Sequence, residues 1–275
     1  MTYETLKTHV ENGVMTVTLD RPDRLNAMNP TFFREIWQVF KSIEDDMSIR
    51  AAIICGNGKH FTAGLDLKEA AGTLSGAGDD PARVREKFLR HVKWLQETFT
   101  VVETCRVPVI AAIHGGCIGG GVDLTSCCDI RFATEDSWFC IQEINVGIVA
   151  DLGTLQRVSK LMPQGIVREL AYTGRNMSAA EAAGHGFVNR ILKDWDACLE
   201  AAQELAEEIC RKSPLAVTGT KSVLNHARDN TVAAGLDYVA TWNSGMLYGN
   251  DLMAAVTAMM SKTEAAFEDL YESED

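Results

Sequence analysis

The sequence predicts an α/β protein, with alternating strands and helices over residues 1–195 and helices alone over residues 196–275. In the first part, short β-branched apolar segments alternate with longer segments whose apolar residues recur at helical spacing. From Trp195 onward only the helical spacing remains. With 275 residues, of which 46% are hydrophobic, the chain can bury a large core.

The chain opens with a hairpin and a helix. Thr5–His9 and Met15–Leu19 alternate apolar and polar residues on either side of the turn signal at 11–13, which is typical of a β-hairpin. Asn29 and Pro30 suit the start of a helix. Its predicted apolar face consists of Phe32, Ile36, Val39, Phe40 and Ile43.

A short buried strand is predicted at Ala51–Cys55, and a polar, glycine-rich loop at Ala71–Asp80 is predicted to act as a lid. Pro81 then begins a helix. Its apolar residues keep helical spacing and are predicted to pack in the core: Val84, Phe88, Val92, Leu95, Phe99 and Val102. The alternative is that Phe88 or Trp94 lines an acyl tunnel.

The later part of the core is predicted to contain two helices, Leu155–Leu161 and Ile166–Tyr172. Ser178 and Glu181 form a capping box that opens a third helix. A short strand is predicted at Phe187–Leu192.

The stretch from Val107 to Arg157 contains the candidate site. An apolar run predicts a buried strand, glycines follow at 115, 116, 119, 120 and 121, and a helix is predicted through Val122 and Leu124. A glycine-rich turn at a helix start presents unpaired backbone N–H groups at close range. We therefore expect an anion or a developing oxyanion to bind there.

Two nucleotide-binding motifs are excluded in this turn. No register of the glycines matches a dinucleotide fingerprint, and Val122-Asp123 stands where a P-loop needs lysine and serine or threonine. An esterase is also disfavoured, because no G-x-S-x-G motif is present.

Three acidic residues follow the glycines: Asp123, Glu143 and Asp151. Carboxylates in apolar surroundings need partners or shifted pKa values, and both conditions suit proton transfer. The alternatives are that Asp123 helps to cap a helix, that Glu143 pairs with a surface cation, and that Asp151 caps the helix starting near Gly153.

Charge and composition narrow the function. A net charge of −12 argues against a nucleic-acid-binding surface. No apolar stretch reaches the length of a membrane span, and no targeting signal is visible at either end of the sequence. Part of the negative charge is predicted to be a solvated tail: Glu264, Glu268, Asp269, Glu272, Glu274 and Asp275.

Eight cysteines fall mostly in apolar strand or helix contexts and show no disulfide framework. We predict reduced core thiols and hence a reducing compartment. No CxxC or HExxH motif is present, so no metal site is expected.

Three motifs resemble the enoyl-CoA hydratase/isomerase (crotonase) superfamily over nearly the whole chain. They are RPDRLNAM at Arg21–Met28, FTAGLDL at Phe61–Leu67, and HGGCIGGGVDL from His114 followed by DIRFAT from Asp129. With acids at 123, 143 and 151, the sequence is most similar to the delta(3,5)-delta(2,4)-dienoyl-CoA isomerase branch.

The resemblance implies a crotonase-like ββα spiral core followed by a helical C-terminal trimerisation region. It assigns the oxyanion hole to the backbone N–H groups of Ala63 and Gly120, which would hold a thioester oxygen. It also implies substrate contacts along Ala63, Gly64, Leu65, Asp66, Leu67 and Gly120. From its position we favour a helix-capping role for Asp66.

The implied activity is isomerisation of 3,5-dienoyl-CoA to 2,4-dienoyl-CoA in fatty acid β-oxidation. By resemblance, Asp151 removes the C2 proton, Glu143 protonates C6, and Asp123 assists them. Mutual repulsion in apolar surroundings would leave one proton shared by Glu143 and Asp151. Two alternatives are an enoyl-CoA hydratase, and a silent scaffold on the same fold that binds acyl-CoA or associates with RNA.

The implied partner is an acyl-CoA thioester, with no nucleic acid and with no cofactor beyond the coenzyme A of the substrate. The resemblance also implies a mitochondrial or peroxisomal enzyme that forms a homotrimer or a hexamer. Apolar residues of the last helices favour a subunit interface: Trp242, Met246, Leu247, Met253, Met259 and Met260.

Overall fold

The fold is taken from a computed structural model that describes residues 2–69 and 80–271. The predicted lid at 71–80 therefore lies outside the described residues, apart from Asp80. The Asp80 carboxylate accepts the N–H groups of Ala82 and Arg83 and so caps the helix that follows.

Strands are found throughout the first 192 residues. Those described are β1 (Leu6–Glu11), β2 (Val14–Leu19), β3 (Ala51–Gly56), β4 (Val109–Ile113), β5 (Gly116–Ile118), β6 (Ile130–Thr134), β7 (Trp138–Cys140), β8 (Met177–Ser178) and β9 (Arg190–Leu192). The predicted hairpin is confirmed as β1 and β2, and the predicted strand at 187–192 is shorter, as β9. We did not predict β5, β6 or β8, which are too short or too interrupted to show a period.

Helices cover the sheet and form the C-terminal part. Those described are α1 (Pro30–Asp45), α2 (Pro81–Thr104), α3 (Gly120–Ser126), α4 (Thr154–Leu161), α5 (Gln164–Thr173), α6 (Ala179–Gly184), α7 (Trp195–Cys210), α8 (Pro214–Asp229), α9 (Val232–Met246) and α10 (Asn250–Ser261). Short 3-10 helices occupy Pro22–Arg24 and Gln142–Val146.

The strands form two sheets. The larger one has the order β1-β2-β3-β4-β6-β9, antiparallel between β1 and β2 and parallel thereafter. The smaller one has the order β5-β7-β8. Since β4 leads into β5 and then α3, the glycine-rich turn lies where the two sheets meet.

The larger sheet is buried on both faces. Ile54 packs in the main cluster with the apolar faces of α1 and α2, whereas Ile53 packs on the other face with α7. Burial on both sides explains why β3 is apolar throughout rather than alternating. The division at residue 195 stays a prediction, although α7, which begins there, packs directly on the core sheet through Cys198, Ala202 and Ala206.

Only the second half of α2 packs in the core. Phe99 and Val102 are fully buried, but Phe88 is 42% exposed and Trp94 is 37% exposed. Our prediction that one continuous face of this helix packs in the core was therefore wrong for its first half. That half borders a cavity instead.

The acidic tail is also not fully solvated as predicted. Asp269 forms an ion pair with Arg50 at 2.7 Å, and the Arg50 guanidinium also donates to the carbonyl oxygen of Phe267. The tail is thereby tied back to the core. Residues 272–275, which include three of the predicted solvated acids, lie outside the described part of the chain.

All eight cysteines are buried and free, as predicted for core thiols. Among residues 2–69 and 80–271, no helix is long and apolar enough to cross a bilayer.

Candidate active site

A cavity of about 460 Å³ lies beside the glycine-rich turn. Its walls include the start of α1, the loop Ala63–Leu67, the first half of α2, the start of α3, the 3-10 helix at 142–146 and the turn before α4. The three predicted acids, Asp123, Glu143 and Asp151, all line it. Residues as far apart in the sequence as Met28 and Asn176 are thus brought to one cleft.

Most of the predicted substrate-contact residues line the same cavity, namely Ala63, Gly64, Leu65, Leu67 and Gly120. Asp66 does not line it. Its carboxylate accepts the N–H of Glu69 at 3.3 Å and pairs with Arg21 at 3.3 Å. The helix-capping role that we favoured for Asp66 is confirmed, and the implied substrate contact is not supported.

The loop and the helix start pack so closely that glycine is required between them. Gly64 has φ +82°, and a Cβ there would lie 2.7 Å from the carbonyl oxygen of Ile118 and 3.5 Å from the backbone nitrogen of Gly120. A side chain at position 64 would therefore push the two segments apart. Because Gly64 has no side chain, the backbone of this loop and the backbone at the start of α3 can both approach the same ligand atom.

One of the two backbone donors differs from the pair implied by the family resemblance. The N–H of Ala63 donates to the carbonyl oxygen of Leu25 at 2.9 Å, so it is not free to bind a ligand. By contrast, the N–H groups of Leu65 and Gly120 donate to no acceptor within the described residues. The assignment of Ala63 was therefore wrong, and Leu65 replaces it. No residue pattern could have revealed this, because it depends on which way each peptide N–H points.

Asp123 is buried, being 1% exposed, in the first turn of α3. Its Oδ1 accepts the backbone N–H and the hydroxyl of Thr154, each at 2.7 Å. Burial raises its pKa to about 7, with a further rise from the charge of Glu143, while the Thr154 hydrogen bonds oppose both. Asp123 caps a helix, as the simpler alternative predicted, but that helix is α4 rather than its own.

Glu143 lies in the first turn of the 3-10 helix and is directed at the glycine turn. Its Oε1 lies 3.3 Å from where a Cβ of Gly119 would stand. Its Oε2 is buried with no hydrogen-bond partner within the described residues. Burial raises the pKa of this carboxyl, and the charge of Asp151 raises it further. No ion pair of Glu143 is found within that part of the chain, so the alternative of a surface cation is not supported.

Asp151 lies in the turn before α4 and is more exposed than the other two acids. Burial raises its pKa, while the nearby His91 lowers it. Gly153, not Asp151, is the N-cap residue of α4, so the capping alternative for Asp151 was wrong. Asp151 instead lines the cavity.

The rest of the cavity is largely apolar. Phe88, Val92 and Leu95 of α2 form one side, and Trp138 and Ile148 lie on others. Phe88 and Trp94 both line this cavity, and its use as an acyl tunnel stays a prediction. His91 also lines it and was missed, since a single histidine on a helix carries no sequence signal. Among the described residues, no group of histidines, cysteines and acids is arranged to hold a metal ion.

This geometry combines two free backbone donors, three coupled carboxyls and an apolar wall. The donors can stabilise negative charge on one oxygen, and the carboxyls can remove and return protons beside an apolar chain.

Comparisons with known proteins agree with this chemistry. The family model described as enoyl-CoA hydratase/isomerase matches residues 9–270. The mitochondrial delta(3,5)-delta(2,4)-dienoyl-CoA isomerase of Mus musculus is 47% identical, over 95% of this chain and 81% of its own length. The peroxisomal delta(3,5)-delta(2,4)-dienoyl-CoA isomerase of Arabidopsis thaliana is 43% identical, over 97% of this chain and 96% of its own length.

Solved structures confirm the predicted fold class. The crystal structure of enoyl-CoA hydratase from Bacillus anthracis superposes with a TM-score of 0.87 at 28% identity, covering 96% of this chain and 99% of that one. The enoyl-CoA hydratase of Mycobacterium smegmatis gives a TM-score of 0.84 at 25% identity, covering 96% and 98%.

Proposed function

The chain belongs to the enoyl-CoA hydratase/isomerase family, and on that premise we propose that it isomerises 3,5-dienoyl-CoA to 2,4-dienoyl-CoA in fatty acid β-oxidation. The observation that carries the proposal is that Glu143 and Asp151 line one cavity with the free N–H groups of Leu65 and Gly120. Two acids and one oxyanion site are what a proton transfer along an acyl thioester requires.

Asp151 acts as the base. It removes a proton from C2, and the electron pair of the C2–H bond delocalises onto the thioester oxygen in one direction and through the two C=C bonds to C6 in the other. The N–H groups of Leu65 and Gly120 stabilise that oxygen. Because the donors are fixed backbone groups in a tight turn, they need no reorganisation as the charge develops.

Glu143 acts as the acid. It protonates C6, the double bonds move to C2–C3 and C4–C5, and the thioester carbonyl is restored. Glu143 holds the transferred proton at the start because its Oε2 is buried without a partner, whereas Asp151 is more exposed and faces His91. The reaction leaves the two acids with exchanged protonation states, so a proton must return through solvent before the next turnover.

The coenzyme A belongs to the substrate, and these steps call on no further cofactor. The apolar wall formed by Phe88, Val92 and Leu95 would receive the acyl chain. Asp123 does not transfer a proton in this scheme. It holds Thr154, and through it the turn that carries Asp151.

The test is direct. Purified protein is incubated with a 3,5-dienoyl-CoA, and the absorbance of the conjugated diene is followed, with Asp151→Asn as the matched control. Isomerisation by the wild type and its loss in a folded Asp151→Asn protein are expected. Lack of diene formation by the wild type would refute the proposal, and a normal rate in Asp151→Asn would refute the role of Asp151.

The main alternative is hydration of a 2-enoyl-CoA. The probable-hydratase relative from Arabidopsis thaliana is 32% identical, whereas the mouse isomerase is 47% identical. Hydration would use Asp123 and Glu143 to place a water molecule, yet one oxygen of Asp123 is already held by Thr154. The same protein incubated with a 2-enoyl-CoA should show little loss of enoyl absorbance. A silent acyl-CoA-binding or RNA-associated scaffold would give no turnover of either thioester.

We also propose a homotrimer, or a hexamer built of two trimers, as the family resemblance implies. In support, α9 and α10 leave large apolar side chains exposed, including Met253, Met259 and Met260 at 64%, 73% and 79%. Light scattering on the purified protein would test the oligomer. For localisation, the mouse relative is mitochondrial and the Arabidopsis relative peroxisomal, so we propose one of these two organelles.

A further inference from the structure

The backbone of Asp151 is held from behind by α2. The side-chain amide of Gln96 donates to the carbonyl oxygen of Asp151 at 2.6 Å. Asp151 stands in an irregular turn, so no helix or strand ladder fixes its position. This hydrogen bond from outside the turn therefore limits how far the carboxyl can move.

Arg157 holds the next peptide of the same turn. Its guanidinium donates to the carbonyl oxygen of Leu152 at 3.3 Å and to the hydroxyl of Thr100 at 3.1 Å. Gly153 has φ +127°, and a Cβ there would lie 1.8 Å from a guanidinium nitrogen of Arg157. The turn is therefore folded around the arginine, which occupies the space that any side chain at position 153 would need.

Glu103 keeps Arg157 in place. The two form an ion pair at 3.0 Å, with side chains that are 10% and 13% exposed. Arg228 of α8 pairs with the other carboxylate oxygen of Glu103, and the amide of Asn225 donates to the Glu103 backbone carbonyl at 3.1 Å. The two arginines hold the pKa of Glu103 below its usual range despite its burial. The carboxylate thus stays charged and keeps both arginines bound.

Gln96, Thr100 and Glu103 follow one another along one face of α2, at spacings of four and three residues. Earlier residues of the same helix, His91, Val92 and Leu95, line the cavity. A single rigid helix therefore contacts both the substrate cavity and the turn that bears Asp151.

We propose that Gln96, Glu103 and Arg157 are positioning residues, which hold the Asp151 turn against α2 so that its carboxyl meets C2 of the substrate. This inference rests on the proposed isomerase function. Proton transfer demands close alignment of the base, and displacement by about 1 Å can cost about 100-fold in rate. These three residues do not contact the substrate themselves. They act through the backbone of residues 151–153.

The acid limb of the pH profile gives a readout that a purely structural role would not change. Three titratable groups surround the Asp151 carboxyl: His91 of α2 lowers its pKa, and the charge of Asp151 in turn raises the pKa of Glu143 in the 3-10 helix and of Asp123 in α3. Its pKa is raised chiefly by burial. If the turn loosens, water reaches the carboxyl, its pKa falls, and the acid limb of kcat/KM moves to lower pH.

Three variants and one control form the experiment. Gln96→Met keeps the side-chain volume and removes one donor. Arg157→Lys keeps the charge facing Glu103 but cannot bond Leu152, Thr100 and Glu103 together, and Arg157→Met removes all these bonds. The control is Asp129→Asn, which weakens a different ion pair, Lys221 to Asp129 at 2.9 Å, that also joins α8 to the core. Each protein is assayed with a 3,5-dienoyl-CoA over pH 5 to 9 and checked for thermal unfolding.

We expect kcat to fall about tenfold in Gln96→Met and about 100-fold in Arg157→Met, with KM within about twofold and with the acid limb moved to lower pH. Arg157→Lys should recover part of the loss, and Asp129→Asn should keep the wild-type rate and profile. If the Arg157 variants do not fold, Gln96→Met decides. Wild-type values in Gln96→Met, or equal losses in Asp129→Asn without a moved acid limb, would overturn this inference alone. A wild type without isomerase activity would overturn the proposed function and this inference with it.

Discussion

Asp123 and Thr154 join two helices that are not neighbours in the sequence. One oxygen of the buried Asp123 carboxyl accepts both the backbone N–H and the hydroxyl of Thr154, at 2.7 Å each. Thr154 is the first residue of α4, so Asp123 satisfies the start of that helix from the first turn of α3. The turn bearing Asp151 is therefore fixed from the cavity side by Asp123.

Replacing Asp123 by asparagine should change how stability depends on pH. The pKa is about 7 in the folded protein and 3.8 in the unfolded chain. Between these values the unfolded chain releases a proton that the folded protein keeps, so the free energy of unfolding falls as pH rises through this window. Below pH 3.8 and above about pH 7, both states carry the same charge at this group and the effect is constant.

From acid to neutral pH, the free energy of unfolding of the wild type should fall by about 4 kcal/mol through this group. Asp123→Asn should not show this fall. Asparagine can still accept from Thr154, so the helix start is kept. Thermal unfolding at pH 4 to 8 measures this difference. The melting temperature of the variant, relative to that of the wild type, should increase as pH rises. Parallel curves would contradict the proposed titration of Asp123.

A hydrogen-exchange experiment should distinguish the role of Asp151 as base from the role of Glu143 as acid. In D₂O, Glu143→Gln should still exchange the C2 proton of the 3,5-dienoyl-CoA, because Asp151 can remove and return it, but should form product about 100-fold more slowly. Asp151→Asn should show neither exchange nor product. Mass spectrometry of the recovered thioester measures the deuterium. Exchange in Asp151→Asn and none in Glu143→Gln would reverse the two roles.

Gly64→Ala tests the oxyanion site. A methyl group would lie 2.7 Å from the carbonyl oxygen of Ile118, at a backbone φ of +82° that alanine adopts poorly. The donors of Leu65 and Gly120 should move apart, and kcat should fall about 100-fold, as for loss of one oxyanion donor. Steady-state kinetics measures this. Gly165→Ala is the matched control, because a Cβ there meets nothing within 4 Å. Equal rates in both variants would argue against an oxyanion hole here.

Phe88→Ala tests the apolar wall. Phe88 borders the cavity and is 42% exposed, so its removal should cost an acyl chain about 1 kcal/mol of contact, or about fivefold in kcat/KM, mainly through KM. The loss should grow with acyl length when short and long 3,5-dienoyl-CoA substrates are compared. Leu89→Ala is the control, since the neighbouring Leu89 is 54% exposed and does not line the cavity. A length-independent effect would argue that the acyl chain lies elsewhere.

The sequence by itself determined the class of fold and most of the site. Period-2 and helical spacings identified the hairpin and the long helices, because those patterns follow from burying one face of an element. The glycine run and the acids at 123, 143 and 151 indicated an oxyanion site with proton transfer, since such groups are costly to place in apolar surroundings without a function.

Only the tertiary structure decided which groups of the site are free. It showed that the N–H of Ala63 is bound to Leu25 and that of Leu65 is not, and that Asp123 caps α4 instead of its own helix. It also showed that the first half of α2, which we expected to pack in the core, lines the cavity. Hydrogen-bond partners and exposure depend on atoms that are distant in the chain, so no local pattern of residues can specify them.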